Sequence, residues 1–344
     1  MQHALAVAAV AGAGLFIGGG AWPMKCLRRF QFEHWWFVAS ATGLIVIPWV
    51  MTLTLCPHAL AAYASVPAKT LLLANLCALG WGIANVLCGL CFVRIGIALT
   101  GAILTGLGVS VGVTLPMVVK GSGLFEQAPD LGSPAGLAVL AGVAVMLIGV
   151  AFAAVAGFGR DRALHQSGQK SGRFLGGLIM TAVAGVLSCG LSLAFVYSQG
   201  PVVAAIKARG GGDIPATFAV WAVGILCGAL VNVLYPVYLM NKHKSWHVLA
   251  ETWSEIGLAL IIGLNFAIGI ALMGQGMLLL GALGASVGFG IQQASQMIGG
   301  QGVGFLSGEW RGVHGRPRYQ MYSAIALLIA AAAVMAYGNA LAKQ

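Results

Sequence analysis

The chain of 344 residues is 59% hydrophobic and only 8% charged, whereas soluble globular domains carry about 25% charged residues. These proportions exclude an ordinary soluble enzyme, and they exclude a disordered chain, which would be rich in charge and poor in hydrophobic residues. The net charge of +10 would favour nucleic-acid binding in a soluble protein, but here the basic residues lie in short loops between long apolar segments. Composition therefore predicts an all-α membrane protein whose partner is the lipid bilayer and not a nucleic acid.

Ten apolar segments, each of roughly 20 residues or more, follow one another along the sequence and predict ten transmembrane helices. We place them at 3–22, 34–56, 68–92, 95–119, 134–157, 174–199, 215–240, 254–274, 277–306 and 319–341. Two connections are very short, at 93–95 and at 274–276. The first segment is followed, not preceded, by its basic residues, so we interpret it as a retained helix rather than a cleaved signal peptide.

The distribution of basic residues predicts the orientation of these helices. Loops after the odd-numbered segments contain 13 of the 18 Lys and Arg residues, and the loops after the even-numbered segments together with the C-terminus contain the remainder. Basic loops stay on the cytoplasmic side of a membrane. Both termini are therefore predicted to be periplasmic in a bacterial inner membrane, which requires an even number of spans.

The long loop 159–173 divides the chain into two halves, 1–158 and 174–344, with five predicted segments each. Because five is an odd number, the second half would enter the membrane in the opposite orientation, which produces the inverted repeat of many transporters. An offset of 185 residues aligns 81–96 with 266–281 and gives four identities in sixteen positions. That match is weak in a chain so rich in Gly, Leu and Ile, so the equal number of segments carries more weight.

Charged residues are absent from the middle of every predicted segment, so the sequence predicts no carboxylate relay at the membrane midplane. The seven histidines lie at segment ends and in loops without metal-ligand spacing. His-Glu-x-x-His does not occur, and the two matches to Gly-x-Ser-x-Gly, at 108–112 and 284–288, lie within glycine-rich apolar segments. The sequence therefore predicts that the protein is not an enzyme and that it uses no metal or cofactor.

The polar residues in the middle of the segments are neutral. Gln292 and Gln296 share one helix face beside Gln293, and Trp81 lies one turn from Asn85. Amides supply both donors and acceptors, and an aromatic ring supplies a stacking surface, so the pattern favours a neutral polyhydroxyl ligand. For any single amide, hydrogen bonding between helices is an alternative role. The further candidates for ligand binding are Ser188, Asn232, Asn265 and Gln275.

Two carboxylates at segment starts are candidates for proton coupling, which needs a group that titrates. Glu33 lies between Phe32 and His34, and Glu255 opens the eighth segment. Each could equally be a boundary charge, because carboxylates are favoured at helix N-termini.

Several stretches resemble the L-rhamnose–proton symporters of the drug/metabolite transporter superfamily. They are Pro23-Met24-Lys25, Phe32-Glu33 with Trp36, Pro48-Trp49, Trp81-Gly82-Ile83-Ala84-Asn85 with Gly89-Leu90 and Arg94, Gly185 to Ser192, Glu309-Trp310, and Gly315-Arg316-Pro317. The resemblance implies a ten-helix fold of two inverted five-helix repeats, a central sugar site, and proton-driven import of L-rhamnose or a related deoxyhexose. By this resemblance, five residues occupy positions of the family pattern: Glu33, Trp36, Asn85, Asn232 and Glu309.

Two other functions stay open at this point. A metabolite or drug exporter of the same superfamily would have a more apolar and aromatic pocket, so the glutamine cluster argues against it. An intramembrane enzyme or a scaffold is the more remote alternative, since no catalytic constellation is present.

Overall fold

The computed structural model describes residues 2–20, 22–95, 97–163 and 174–342. Within these ranges the chain is helical and contains no β-strand. Short 3-10 helices occur at Trp22–Cys26 and Gly123–Gln127, and a π-helical segment occurs at Ala41–Val46. The α-helices are α1 (Gln2–Gly19), α2 (Phe32–Ser40), α3 (Ile47–Leu55), α4 (Ala59–Ser65), α5 (Ala68–Ile95), α6 (Ile97–Val119), α7 (Pro134–Ala163), α8 (Phe174–Ser188), α9 (Gly190–Lys207), α10 (Asp213–Gly224), α11 (Leu226–His243), α12 (His247–Glu251), α13 (Trp253–Leu280), α14 (Gly284–Leu306) and α15 (Arg316–Leu341).

Each of the ten predicted segments coincides with helix in the structure. Seven helical segments are long and apolar enough to cross a membrane, and the bent pair α10–α11 would make an eighth. α6 contributes a shorter apolar stretch, Ile103–Val119. Large apolar side chains such as Leu72 and Leu175 are more than 60% exposed on the outer faces of these helices. Because such surfaces are unfavourable in water, they indicate a multi-pass membrane protein.

One predicted connection is wrong. The break expected at 274–276 does not occur, because α13 continues to Leu280 and the chain turns at Gly281, where φ is +85°. The glycines at the expected break serve packing instead. A Cβ on Gly276 would lie 2.5 Å from Cγ1 of Val10, so the absence of a side chain allows α13 to approach α1 closely.

Other boundaries shift by a few residues. α5 ends at Ile95 and α6 begins at Ile97, so the predicted connection at 93–95 belongs to the last turn of α5. α7 continues to Ala163, beyond the predicted start of the long loop, and positions 164–173 of that loop lie outside the described residues.

Three of the predicted segments contain irregular backbone. α8 and α9 separate at Cys189, α10 and α11 are bent by 58° across Ile225, and the π-helical segment Ala41–Val46 joins α2 to α3. Non-helical backbone within a membrane is tolerated where it is buried in protein or lines a cavity. These positions therefore indicate where to look for a site.

The helix contacts made by the first half of the chain correspond to those made by the second half. α1 packs against α13 and α14, and α8 with α9 packs in the same manner against α5 and α6. α7 packs extensively against α15, and α2 with α3 packs against α10 with α11. When each predicted segment of the first half is exchanged for the corresponding segment of the second half, this set of contacts maps onto itself.

Close backbone contacts show the same correspondence between the two halves. A Cβ on Gly43 would clash with the carbonyl oxygen of Gly263, and a Cβ on Gly228 would clash with the carbonyl oxygen of Ala78. Position 43 corresponds to 228, and position 78 to 263, at the 185-residue offset found in the sequence. Residues separated by that offset thus occupy corresponding places in the packing.

Candidate functional site

A cavity of about 270 Å³ lies between the two halves of the bundle. Its lining comes from α1, the 3-10 helix Trp22–Cys26, α2, the π-helical segment, α5 and α6 in the first half, and from α8, α9, α13 and α14 in the second. Two of the irregular backbone segments border it, through Ser40 and Leu44 on one side and Ser188 and Leu191 on the other. Six of the nine residues predicted to bind a ligand line this cavity: Trp81, Asn85, Ser188, Gln292, Gln293 and Gln296.

The glutamine cluster is positioned by α14 and by its contact with α1. A Cβ on Gly14 would clash with the carbonyl oxygen of Gln292, and a Cβ on Gly18 would clash with that of Gln296. These two glycines therefore allow α1 to lie directly against α14 at the level of the cluster. Nε2 of Gln292 donates a hydrogen bond to Oε1 of Gln296 at 2.7 Å. The bond leaves the Gln292 oxygen to accept, and the Gln296 amide nitrogen to donate, toward a ligand.

Aromatic rings form the walls of the cavity. Trp81 of α5 stacks on Phe266 of α13 with ring centroids 6.5 Å apart and planes at 24°. The two residues are 185 positions apart, so this pair joins corresponding sites of the two halves. Trp36 of α2 also lines the cavity and stacks on Phe32, with centroids 5.5 Å apart. Flat aromatic faces of this kind suit the apolar face of a ring-shaped ligand.

Asn232, a predicted ligand-binding residue, does not line the cavity and lies directly behind its wall. The side chain is fully buried. Its Oδ1 accepts hydrogen bonds from Nε1 of Trp36 and from Nδ2 of Asn85, each at 3.2 Å. Its Nδ2 donates to the carbonyl oxygen of Gly228 at 2.8 Å. Asn232 thus touches two residues of the lining without reaching the cavity itself.

The structure does not bring Asn265 and Gln275 to the cavity. Nδ2 of Asn265 donates to the carbonyl oxygen of Gly20 at 3.2 Å, which joins α13 to the end of α1. Nε2 of Gln275 donates to Oγ1 of Thr217 at 2.5 Å, which joins α13 to α10. In both cases the amide links two helices, the role that the sequence left open as an alternative.

The two carboxylates considered for proton coupling have different surroundings. Glu33 is buried, and its Oε1 lies 2.9 Å from Nδ1 of His243 at the end of α11. Glu255 is also buried, but its carboxylate accepts hydrogen bonds from the backbone N–H groups of Arg28, Arg29 and Phe30 at 2.8–3.2 Å. Glu255 therefore stabilises the connection that leads into α2, whereas Glu33 has a titratable partner.

A family model described as the L-rhamnose-proton symport protein (RhaT) matches residues 4–341. The chain belongs to this family. Curated relatives include the L-rhamnose-proton symporters of Yersinia pestis bv. Antiqua (strain Antiqua) and Yersinia pseudotuberculosis serotype O:1b (strain IP 31758), each 27% identical over 231 residues. The match covers 67% of this chain and 65% of each relative, so it spans slightly less than two thirds of the relatives' length. The family is one of transporters, not of enzymes.

Some of the residues that carried the resemblance to the rhamnose symporter family form two separate groups of contacts. Trp36 and Asn85 both contact Asn232, as described above. Glu309 accepts hydrogen bonds from Nζ of Lys25 and, at 2.9 Å, from NH1 of Arg160. This ionic group ties the loop before α15 to the connection after α1 and to the end of α7, at the side of the molecule where the odd-numbered loops lie.

Sequence reasoning missed several residues of the site. His243 carries no local signal, because its partner Glu33 lies 210 positions earlier in the chain. The apolar residues of the lining carry no signal either, since isoleucine, leucine and phenylalanine occur throughout such a sequence. The amides were recognisable because polar residues are rare and costly within a membrane. Among the described residues, no group of three or more His, Cys, Asp or Glu side chains is placed to hold a metal ion.

Proposed function

We propose that this protein is a secondary transporter that imports a neutral sugar, L-rhamnose or a related deoxyhexose, together with a proton across the bacterial inner membrane. The observation that carries the proposal is the cavity between the two halves, whose polar lining consists of amides and hydroxyls and whose walls are aromatic. No charged side chain belongs to the described lining. An acidic or phosphorylated substrate would thus be desolvated without an ionic partner, at a high free-energy cost.

Within this proposal the lining residues have distinct roles. Asn85, Ser188, Gln292, Gln293 and Gln296 exchange hydrogen bonds with the sugar hydroxyls, because their amide and hydroxyl groups both donate and accept. The Trp81 ring lies against the apolar face of the sugar. Asn232 supports the lining from behind, and no cofactor or metal takes part.

The fold belongs to the same proposal. We infer ten transmembrane helices arranged as two inverted five-helix repeats, 1–158 and 174–344, in the drug/metabolite transporter fold, with both termini periplasmic. The exchange of packing partners between the halves supports the repeat, and so do the contacts that recur at the 185-residue offset. The concentration of basic residues in the odd-numbered loops supports the orientation.

We propose alternating access from the different packing at the two ends of the bundle. Phe195 of α9 stacks on Trp221 of α10 with centroids 4.8 Å apart, and Phe125 packs on Phe195 at 6.0 Å, all three being buried. At the other end the lining reaches Met24 and Trp35, beside the basic loops. We infer that this conformation opens toward the cytoplasm, and that separation of the aromatic stack opens the opposite side.

Uptake into proteoliposomes tests the proposal. Radiolabelled L-rhamnose and L-fucose are offered to vesicles with and without an imposed inward proton gradient, and accumulation that depends on the gradient is expected. Absence of uptake of either sugar, whatever the gradient, contradicts the proposal. A parallel thermal-shift screen of sugars against hydrophobic amines separates an importer of sugars from an exporter with an apolar specificity.

We propose Glu33, paired with His243, as the proton-coupling group rather than Glu255. The Glu255 carboxylate is occupied by hydrogen bonds from the backbone N–H groups of Arg28, Arg29 and Phe30, which indicates a structural role. Glu33→Gln should abolish accumulation driven by the proton gradient and should leave exchange of sugar for sugar intact, because the site itself is unchanged. Both rates are measured with labelled rhamnose in the same vesicles.

Glu251→Gln is the matched control, since Glu251 is an exposed carboxylate at the same end of the molecule and pairs with Arg29. It should leave both rates within about twofold of the wild type, because exposed ion pairs contribute about 1 kcal/mol or less. Unchanged accumulation in Glu33→Gln would show that Glu33 is only a boundary charge.

A further inference from the structure

We infer that Asn232 is a positioning residue of the sugar site: it fixes which hydrogen-bonding groups Asn85 and Trp36 present to the cavity. This inference rests on the proposed function and deepens it. Asn232 itself does not belong to the cavity lining. Its effect on a ligand is therefore transmitted through the two lining residues that it contacts.

The Asn232 side chain is held in one orientation. It is fully buried, and the two donors at 3.2 Å, Trp36 Nε1 and Asn85 Nδ2, converge on its carbonyl oxygen. A carbonyl oxygen has two lone pairs, so its accepting capacity is fully used. Rotation of the amide by 180° would place its NH₂ group against these two donors and would leave buried groups unpaired, which costs about 1–3 kcal/mol each.

The backbone around Asn232 is equally constrained. Its Nδ2 donates to the carbonyl oxygen of Gly228, and a Cβ on Gly82 of α5 would lie 2.7 Å from that same oxygen. α5 and α11 are thus in direct backbone contact one turn from Asn232. The distance between Asn232 and Asn85 is set by this contact and has little freedom to change.

Asn85 is consequently held with one fixed orientation of its amide group. One N–H of its NH₂ group donates to Asn232, which fixes the orientation of the amide, and no hydrogen bond among the described residues reaches its Oδ1, although Asn85 lines the cavity. Asn85 therefore presents a carbonyl oxygen to the ligand. A sugar hydroxyl placed against this oxygen must donate, so a ligand that places only an acceptor against it is disfavoured.

For Trp36 the consequence is that the indole offers only a surface. Its N–H donates to Asn232, and Phe32 stacks against the ring at 5.5 Å with planes at 19°. The indole cannot act as a hydrogen-bond donor to the sugar while these contacts persist. Asn232, in the second half of the chain, thereby orients two residues that both belong to the first half.

Transport kinetics of three variants in proteoliposomes test this inference, with L-rhamnose as the probe. Asn232→Leu preserves the approximate size of the side chain and removes the acceptor oxygen. It should raise the half-saturation concentration at least tenfold while the maximal exchange rate stays within about threefold of the wild type. Asn85→Ala should raise the half-saturation concentration similarly, and the double variant should be no worse than Asn85→Ala alone, because the two residues act as a unit.

Asn75→Leu is the matched control. Asn75 is also an amide of α5 that bonds the second half, through the Val223 carbonyl oxygen at 2.8 Å and the Cys227 N–H at 2.9 Å, but it does not line the cavity. Its variant should leave the half-saturation concentration within about twofold. If Asn75→Leu and Asn232→Leu raise it equally, or if the double variant is additive, Asn232 has only a structural role and the inference is overturned.

If Asn232→Leu does not reach the membrane, Asn232→Asp tests the inference in its place. A neutral, protonated aspartic acid, the form that burial favours, keeps an oxygen that accepts both hydrogen bonds, and its O–H replaces Nδ2 as the donor to the Gly228 carbonyl oxygen. The half-saturation concentration should therefore stay within about threefold of the wild type, and a tenfold rise overturns the inference. Wild-type uptake is measured in parallel. If the wild type transports rhamnose and the variants do not follow the expected pattern, only the positioning role of Asn232 is contradicted and the proposed transport function is retained. If the wild type transports no sugar, both proposals fail.

Discussion

The side chains of the site are neutral amides whose hydrogen bonds are partly satisfied within the protein. Gln292 donates to Gln296, and Asn85 donates to Asn232, at 2.7 and 3.2 Å. Each bond fixes the orientation of an amide that would otherwise present either its oxygen or its nitrogen to the cavity. The site is thereby preorganised, and a ligand has less conformational freedom to remove when it binds.

Replacement of Gln296 by leucine should weaken sugar binding about tenfold. The variant removes the donor that Gln296 offers to the ligand and also the acceptor that orients Gln292. A net hydrogen bond contributes about 1 kcal/mol, and an unpaired buried group adds to the loss. The half-saturation concentration for L-rhamnose in proteoliposomes measures the effect.

Gln275→Leu provides the comparison for this variant, because Gln275 bonds Thr217 outside the cavity. It should shift the half-saturation concentration by no more than about twofold. Equal losses in the two variants would mean that the glutamines support packing and not ligand binding.

At the scale of single residues, the sequence indicated the buried amides but not which of them line the cavity and which lie elsewhere. Asn85 and Asn232 look alike in the sequence, since each is an asparagine within an apolar segment. Only the fold places one in the lining and the other behind it. Likewise, Glu33 and Glu255 both open a segment, and their difference lies in partners that are more than 200 positions distant in the chain.

At the scale of helices, glycine permits the close contacts that bring the site together. α1 lies against α14 through Gly14 and Gly18, directly over the carbonyl oxygens of the site glutamines. Association of helices in lipid depends on such close packing, because no hydrophobic drive acts between helices there. The position of the glutamine cluster is therefore coupled to the position of α1.

Gly18→Ala should lower both stability and transport. The added Cβ would clash with the Gln296 carbonyl oxygen, so α1 must move away from α14. Overpacking of this kind typically costs about 1–3 kcal/mol of unfolding free energy. Thermal unfolding of the purified protein and rhamnose exchange in vesicles measure the two effects, and exchange should fall at least fivefold.

Gly257→Ala is the control for added volume alone, because nothing lies within 4 Å of the new Cβ in α13. It should leave transport unchanged and should leave stability equal or slightly higher, since alanine has the higher helix propensity. If Gly18→Ala behaved in the same way, α1 and α14 would not be in the close contact described here.

Two other glycines explain the boundary that the sequence predicted wrongly. Gly274 and Gly276 indicate a turn when they are considered as helix breakers, yet in α13 they face Trp221 and Val10 and accommodate neighbouring helices. The turn occurs at Gly281, where the positive φ is the feature that requires glycine. A sequence does not distinguish these two uses, because both need only the absence of a side chain.

At the scale of the whole molecule, the positions of the apolar segments predicted more of the structure than did sequence similarity between the two halves. All ten segments are helical, although the sequence identity at the 185-residue offset is low. The structure contains contacts that recur at that offset, such as Gly43 with Gly263 and Gly228 with Ala78. These contacts recur although few residues are identical at that offset, because a close contact needs a small side chain and not one particular residue.

The orientation of the chain depends on whether the bent pair α10–α11 crosses the membrane as one span. Its two parts have 12 and 18 residues and meet at an angle of 58°. If the pair is one span, Lys207 before it and Lys242 near its end lie on opposite sides of the membrane. If it is a re-entrant loop, the two residues lie on the same side. The excess of basic residues in the odd-numbered loops predicts that Lys242 is cytoplasmic and Lys207 periplasmic.

Single-cysteine labelling distinguishes these arrangements. The native cysteines, of which Cys26 is exposed, are first replaced by serine or alanine. Lys207→Cys and Lys242→Cys, both exposed positions, are then treated in intact cells with a thiol reagent that does not cross the membrane. Lys207→Cys should react at once and Lys242→Cys only after permeabilisation. The reverse result would invert the proposed orientation, and equal labelling of both would remove the seventh span and with it the two inverted repeats.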